Sequence, residues 1–254
     1  MESKSFGRTK LWAKWLLFPG FDLHTRCRYR FLPRFFRPGP IATLDAGCGN
    51  GALSYAAYKL GNRVLGVTND PDEVRKAEAL FSEAGAESYR FSFVVCNLYD
   101  LQAIGQKFDQ IICSEALEHI SGDQKVIRSF YQVLNEGGVL HLCCPYALHP
   151  DHRLGRIDGP EDGGHVRDGY TAESYRALLE PAGFEIIRTV GLGTPLLVAM
   201  DKIVRYVRNK HGDIFAAPLF LVTWPFQWLD CLNPALPFSL YVQAVKRSRT
   251  DPSV

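Results

Sequence analysis

The sequence predicts an α/β fold: a seven-stranded, mainly parallel sheet with helices on both faces, an N-terminal helical arm and a helical insertion before the last strand. Three observations lead to this prediction. Strand-like and helix-like segments alternate from residue 41 to about 190, a glycine-rich turn follows the first strand, and an alternating segment returns after a Pro-rich stretch. The 254 residues and the hydrophobic fraction of 46% suit one large domain with additions.

The elements can be taken in chain order. Strands are predicted at "IATLDAG", "RVLGV", "RFSFVV", "FDQIICS", "GGVLHLCCP" and "FEIIRTV", and a last strand at "FSLYVQAVKR". Helical patterns occupy 52–60, 71–84 and 123–134, and "TAESYRALLEPAG" is predicted as a helix with Thr171 as its N-cap. Because strands that alternate with helices indicate βαβ units, the sheet is expected to be mainly parallel.

Composition divides the chain into five segments: a basic and aromatic arm (1–40), a core (41–190), an apolar helical cap (191–237), a last core strand (238–248) and a tail (249–254). The arm holds nine Lys and Arg residues against Glu2 and Asp22, although the whole chain carries a net charge of only +2. This asymmetry predicts that the arm meets an anionic partner, either a membrane surface or a nucleic acid.

Cysteine usage and the N-terminal segment bear on the compartment. Seven scattered cysteines without a CxxC pair predict reduced, mostly buried thiols in a cytoplasmic protein. The segment "LWAKWLLF" is too short for the apolar part of a signal peptide, and no small-residue cleavage site follows it. The segment 214–229 comes closest to a membrane span, but it contains Pro218 and Pro225.

The motif "LDAGCGNG" (44–51) follows the first strand and opens a helix. Its glycines let the backbone turn tightly and let a ligand approach closely. An NAD-binding enzyme would need the third glycine one position later than Gly51. Together with "GVTNDP", "VVCNLYDL", "FDQIICSEALEHI" and "GHVRDGYTAESYRALLEPAGFEI", in that order, the motif resembles the class I S-adenosylmethionine-dependent methyltransferases, in their small-molecule and lipid branch, which have a Rossmann-like fold.

The resemblance covers about 41–190 and the last strand, and it implies a site for S-adenosyl-L-methionine. The backbone at Gly47, Cys48 and Gly49 would pass the methionine part of that cofactor. Asp45 would order the loop and meet the amino group of the cofactor. The region of Ser114 would close over the methionine end.

The adenosine end is implied by two further segments. Asp70, or Asn69 beside it, would bind the ribose hydroxyls, and Asn97 with the Leu98 amide would contact the adenine. Each carboxylate or amide also has a purely structural alternative. Asp70 can be the N-cap of the helix that begins at Pro71, and Asn97 can be an ordinary residue at a strand end.

Candidate catalytic residues follow the fourth strand, which in this family lies next to the methyl group. Glu115 and His119 are four residues apart and are expected to share one face of a helix, so His119 is a candidate base polarised by a carboxylate. A packing role for His119 is the alternative. His165 and Tyr146 are further candidates because they lie in a long, polar, glycine-rich loop at 145–170.

A metal site is the second interpretation of this region. The pattern of Glu115, Glu118 and His119, with His165 as a further ligand, resembles the metal-binding motif of small-RNA 3′-end methyltransferases. Because the same letters occur in metal-free quinone-type members, no metal is predicted.

The resemblance therefore predicts an S-adenosylmethionine-dependent methyltransferase that O-methylates an apolar or lipid-linked small molecule at or near a membrane surface. Contact with that surface is predicted through 1–40 and 191–237, where aromatic and basic residues interleave, among them Trp12, Trp15, Phe18, Phe31, Phe35 and Phe36. The alternative is that both segments pack together as a cap over the acceptor pocket. An RNA or protein methyltransferase and a non-catalytic cofactor-binding subunit also stay open, although a nucleic-acid partner is not expected.

Overall fold

The computed structural model describes residues 18, 21–152, 161 and 163–247. These residues form one seven-stranded sheet in the order β3-β2-β1-β4-β5-β7-β6. Only β7 runs antiparallel to its neighbours in the described sheet, so the predicted mainly parallel architecture is confirmed. The strands are β1 (Ala42–Ala46), β2 (Arg63–Thr68), β3 (Phe91–Val95), β4 (Phe108–Ser114), β5 (Leu134–Pro145), β6 (Phe184–Leu192) and β7 (Ser239–Lys246).

Helices cover both faces of the sheet, and their ends follow the capping residues of the sequence. The Thr171 hydroxyl accepts a hydrogen bond from the Ser174 amide, which confirms it as the N-cap of its helix. The predicted helical cap (191–237) begins with a helix whose N-cap is Thr194 and whose first turn contains Pro195. The helices are α1 (Leu23–Phe31), α2 (Ala52–Lys59), α3 (Pro71–Glu83), α4 (Asp123–Val133), α5 (Ala172–Leu179), α6 (Pro195–His211) and α7 (Asp213–Thr223).

Two apolar clusters hold the helices against the sheet. On one face α4 and α5 bury residues such as Phe130 and Tyr175 against β4 and β5. On the other face α1, α2, α3, α6 and α7 meet around Phe81, Val204 and Phe220. Each fully buried side chain of this size contributes about 1.5–3 kcal/mol through removal of apolar area from water. Among the described helices, none has the length and apolar character to cross a membrane.

The arm packs inward more than the sequence suggests. Phe31 and Phe36 are almost fully buried, so these two rings do not face a membrane, while Trp12 and Trp15 lie outside the described residues. Arg26 is buried as well, with its guanidinium carbon 4.6 Å from the ring centroid of Phe220, and burial lowers its pKa to about 10. The reason is that α1 packs against α6, α2 and the 3₁₀ turn that follows α7.

The cysteines behave as expected from their scattered positions. All seven lie within the described residues and are free, and five of them are buried. The carboxyl ends of β1, β2 and β4 meet at one edge of the sheet because these strands are parallel. That edge is where the glycine motif and the residues after β4 come together.

Candidate functional site

Three adjoining cavities lie along this edge of the sheet, and Glu115 lines all of them. The glycine-loop cavity, about 320 Å³, is bounded by the glycine motif and α1. The strand-tip cavity, about 390 Å³, is bounded by the ends of β2, β3 and β4. The charged cavity, about 430 Å³, lies between α1, α6 and the loop after β5.

The glycine motif forms the floor between the first two cavities. Gly47 has φ +76° and its amide donates a hydrogen bond to the Val67 carbonyl oxygen at 2.8 Å. A Cβ at Gly47 would lie 2.7 Å from that of Ala116, so this position requires glycine. Gly49 has φ +50°, and a Cβ there would meet no atom within 4 Å. The backbone of Gly49 therefore faces open space that a ligand can occupy.

Asp45 stabilises the motif from beneath. Its side chain is buried and accepts a hydrogen bond from the Ser54 hydroxyl at 2.5 Å, which ties the end of β1 to α2. Burial raises the pKa of Asp45 to about 6, and the hydrogen bond from Ser54 offsets part of that rise. Asp45 and Cys48 both line the glycine-loop cavity, where the sequence predicts them.

Two carboxylates after β2, those of Asp70 and Glu73, have different roles. Asp70 is the N-cap of α3 and accepts a hydrogen bond from the Asp72 amide at 2.7 Å, and it does not line the strand-tip cavity. Thr68, Asn69 and Glu73 line that cavity, and the Thr68 hydroxyl donates to the Glu73 carboxylate at 2.7 Å. Sequence reasoning missed Glu73, although it stands three residues after an N-cap, where a capping box places Glu.

The adenine-side candidates lie in the same cavity. Asn97 and Leu98 line it, and the Asn97 side-chain oxygen caps a short 3₁₀ helix by accepting from the Tyr99 amide at 3.0 Å. The Tyr99 hydroxyl in turn donates to the Glu161 carboxylate at 2.7 Å. Sequence reasoning missed Tyr99 and Glu161 because the two are 62 residues apart and meet only in the folded chain.

The predicted helix face after β4 is wrong. Glu115 has φ +54°, and a 3₁₀ turn from Leu117 to His119 follows, so Glu115 and His119 share no helix face. One Glu115 carboxylate oxygen lies 3.4 Å from the Arg28 guanidinium, and the other is buried without a hydrogen-bond partner in the described residues. His119 instead has its Nδ1 atom 3.1 Å from the Gly164 carbonyl oxygen.

Among the described residues, Glu118, His119 and His165 form a cluster that could hold a metal ion, with ligand atoms within 4.8 Å of one another. Glu115 is not part of it, because its carboxylate faces Arg28. Glu118 is fully buried, and burial, reinforced by the charge of Glu115, raises its pKa well above the ordinary value. A protonated carboxyl group is a poor metal ligand, which disfavours a metal here. The absence of a metal stays a prediction.

The charged cavity is lined by side chains from α1, α6 and the long loop after β5. Helix α1 contributes His24 and Arg28, α6 contributes Lys202 and Arg205, and the long loop contributes His165. The apolar face of α6 turns towards α1 and the core, which leaves its basic flank at the cavity. Partial desolvation, together with the neighbouring His119, lowers the pKa of His165 although the residue is exposed, so its imidazole is neutral at neutral pH.

Ser114 and Tyr146, both predicted as site residues, line different cavities. Ser114 lines the glycine-loop cavity, and its buried hydroxyl has no hydrogen-bond partner among the described residues. Tyr146 lines a separate cavity of about 250 Å³ with Thr189 and Asn233. The structure therefore does not bring Tyr146 to the other catalytic candidates.

The lining of the first two cavities fits S-adenosylmethionine. Open space lies over the Gly49 backbone, the Ser114 hydroxyl and one Glu115 oxygen lack partners in the described residues, and the Glu73 carboxylate stands at the tip of β2. Buried polar atoms of this kind are normally satisfied, which suits a polar ligand beside them.

Comparison with known proteins gives the same assignment. A family model for a methyltransferase domain matches residues 40–157. The mouse mitochondrial ubiquinone biosynthesis O-methyltransferase is 28% identical over 157 residues, covering 59% of this chain and 42% of that protein. The ubiquinone biosynthesis O-methyltransferase of Xanthomonas axonopodis pv. citri is 32% identical over 174 residues, covering 65% of this chain and 71% of that protein.

Solved structures agree in fold. A crystal structure of a protein described as a sarcosine dimethylglycine methyltransferase from Galdieria sulphuraria has a TM-score of 0.59 at 18% identity, covering 83% of this chain and 80% of that one. The chain spans less than half the length of the mouse and rat relatives that it matches. The family match, the bacterial relative and the geometry of the glycine loop lead to one conclusion: the chain belongs to the class I S-adenosylmethionine-dependent methyltransferases.

Proposed function

We propose that this protein transfers a methyl group from S-adenosylmethionine to an oxygen atom of an apolar or lipid-linked small molecule at or near a membrane surface. The observation that carries the proposal is the position of Glu115, which lines the glycine-loop, strand-tip and charged cavities alike. The names of the relatives, ubiquinone biosynthesis O-methyltransferases, support the class of acceptor.

The chain's own groups would hold the cofactor as follows. The backbone of Gly47 and Gly49 would lie against the methionine part, because the space over Gly49 is open and Gly47 holds the tight turn beneath Ala116. Glu73, held by the Thr68 hydroxyl, would accept hydrogen bonds from the ribose hydroxyls. Asn97 would contact the adenine beside β3. When bound, S-adenosylmethionine supplies a methyl group on a positively charged sulfur.

The acceptor would enter through the charged cavity. An oxygen acceptor must lose a proton during transfer, and a group of suitable pKa must lie near it. His165 lines this cavity, and its lowered pKa keeps the imidazole in the neutral form that a proton acceptor needs. Arg28 and Glu115 lie where the charged and glycine-loop cavities adjoin, so they would orient the acceptor towards the methyl group.

Two measurements test the proposal. Calorimetric titration with S-adenosylhomocysteine should give saturable heat and a raised thermal midpoint. Incubation with methyl-labelled S-adenosylmethionine and separate lipid, RNA and protein fractions of a bacterial lysate should place the label in the lipid fraction. Absence of heat would favour a non-catalytic partner subunit, and label in RNA or protein would favour the alternative methyltransferase classes.

A further inference from the structure

The outer side of α6, α7 and the following 3₁₀ turn is unusually apolar. Of the fourteen large hydrophobic side chains that are exposed among the described residues, ten lie between 195 and 229. They define what is called here the α6–α7 surface, made of Leu196, Ile203, Tyr206, Ile214, Phe215, Leu221, Val222, Phe226, Trp228 and Leu229. Large exposed apolar patches on a folded protein mark interaction sites.

The surface is separate from the contacts that hold these helices to the core. Helix α6 turns Leu197 and Val204 inward, and the Leu23 amide donates to its buried Asp201 at 2.8 Å. Helix α7 buries Phe220 but leaves Ile214 85% exposed. The inner faces of α6 and α7 thus make the contacts with the core, and the outer faces expose their apolar side chains to water.

Charge indicates which partner fits the surface. From Ile214 to Leu229 the chain has no charged side chain, whereas α6 carries Lys202, Arg205, Arg208 and Lys210. The guanidinium carbon of Arg30 lies 4.5 Å from the ring centroid of Trp228. Apolar side chains with tryptophan and phenylalanine, bordered by basic residues, match the acyl boundary and the anionic headgroups of a bilayer.

The α6–α7 surface lies next to the charged cavity, because both include side chains of α6. Helix α6 contributes Lys202 and Arg205 to the charged cavity and Ile203 and Tyr206 to the exposed surface. We propose that the α6–α7 surface docks on an anionic lipid bilayer and so places the charged cavity beside the headgroups, where a lipid-linked acceptor can enter it. The purpose of the contact rests on the proposed function, whereas the contact itself can be measured without it.

Flotation of the full chain with vesicles tests the contact. Vesicles of phosphatidylcholine with phosphatidylglycerol should bind the protein about tenfold more strongly than phosphatidylcholine alone. The variant Ile214→Glu/Phe215→Glu/Val222→Glu should lose at least about tenfold in binding to the mixed vesicles. Tyr89→Glu is the matched control, because Tyr89 is 77% exposed outside the surface, and it should bind like the wild type.

Further outcomes separate the alternatives. The triple variant must keep the wild-type thermal midpoint and its shift with S-adenosylhomocysteine. If it does and still floats with vesicles, the docking surface is wrong although the proposed function stands. If Trp12→Ser/Trp15→Ser abolishes flotation and the triple variant does not, the arm is the docking segment. A wild-type dimer in sedimentation that the triple variant dissociates, without vesicle binding, assigns the surface to a second copy of the chain.

Discussion

The carboxylate of Glu115 lies 3.4 Å from the guanidinium of Arg28, and this pair joins α1 to the end of β4. Burial opposes the charge on Arg28, but Glu115 together with Cys143, Asp22 and Cys27 outweighs it, and the pKa of Arg28 is raised above its ordinary value. The pair forms a wall common to the glycine-loop and charged cavities. Helix α1 is therefore a structural part of the site.

Replacing Arg28 by Ala should lower the free energy of unfolding by about 3 kcal/mol, because it leaves the Glu115 charge largely buried without a partner. Arg176→Ala is the control, since Arg176 and Glu180 are also 3.4 Å apart but mostly exposed. That variant should lose less than about 1 kcal/mol. Chemical denaturation measures both free energies of unfolding. Equal losses would show that the Arg28–Glu115 pair stabilises the fold no more than an exposed ion pair.

Replacing Glu73 by Gln should weaken S-adenosylhomocysteine binding by about 1–3 kcal/mol, because a charged acceptor at the tip of β2 is lost. Asp70→Ala should instead destabilise α3 by about 0.5–2 kcal/mol through loss of its cap and leave affinity nearly unchanged. Glu78→Gln, exposed on the same helix, is the control for charge. Calorimetric titration of the three variants distinguishes these roles. A large loss of affinity in Asp70→Ala alone would show that Asp70, and not Glu73, binds the ribose.

Replacing Glu118 by Gln should stabilise the protein, increasingly so as pH rises above the ordinary range of glutamate. The pKa of Glu118 is raised in the folded state by burial and by Glu115, so the folded state holds a proton that the unfolded state has released. Wild-type stability must then fall with pH until the folded-state pKa is reached. Thermal midpoints from pH 5 upwards measure this change.

A metal in the cluster of Glu118, His119 and His165 would reverse that result. The Gln variant would then lose the ion, and its thermal midpoint would fall below that of the wild type. Chelator treatment of the wild type provides an independent control, because it should leave the midpoint unchanged if no ion is held.

Replacing His165 by Ala should lower turnover about 10²–10⁴-fold if the imidazole accepts the acceptor proton. The pKa of His165 is lowered by partial desolvation and by His119, so the wild-type rate should fall only below the ordinary histidine range, where the ring becomes protonated. His211→Ala, an exposed histidine at the end of α6, should leave the pH–rate profile unchanged. Full turnover in His165→Ala would exclude His165 as the base, and Tyr146→Phe should have little effect.

Local pattern predicted the parts of the site that depend on short segments. The glycine motif, the residues at the tip of β3 and the Thr171 cap lie where the sequence indicates, because turn geometry and capping are set by a few neighbouring residues. The prediction that Glu115 and His119 share a helix face is wrong because of the backbone conformation of one residue. A single residue at φ +54° interrupts the chain after β4, and no spacing rule shows that in advance.

The sequence by itself determined the succession of strands and helices along the chain and the glycine loop, since hydrophobic periodicity and turn residues act over short distances. The family followed from the resemblance of several motifs in order. Only the tertiary structure decided that Arg28 meets Glu115, that Glu73 rather than Asp70 lines the strand-tip cavity, and that Phe31 and Phe36 are buried. These facts depend on which distant elements pack together. Arg28 and Glu115 are brought into contact by the docking of α1 on the sheet edge, and periodicity within either segment carries no information about it.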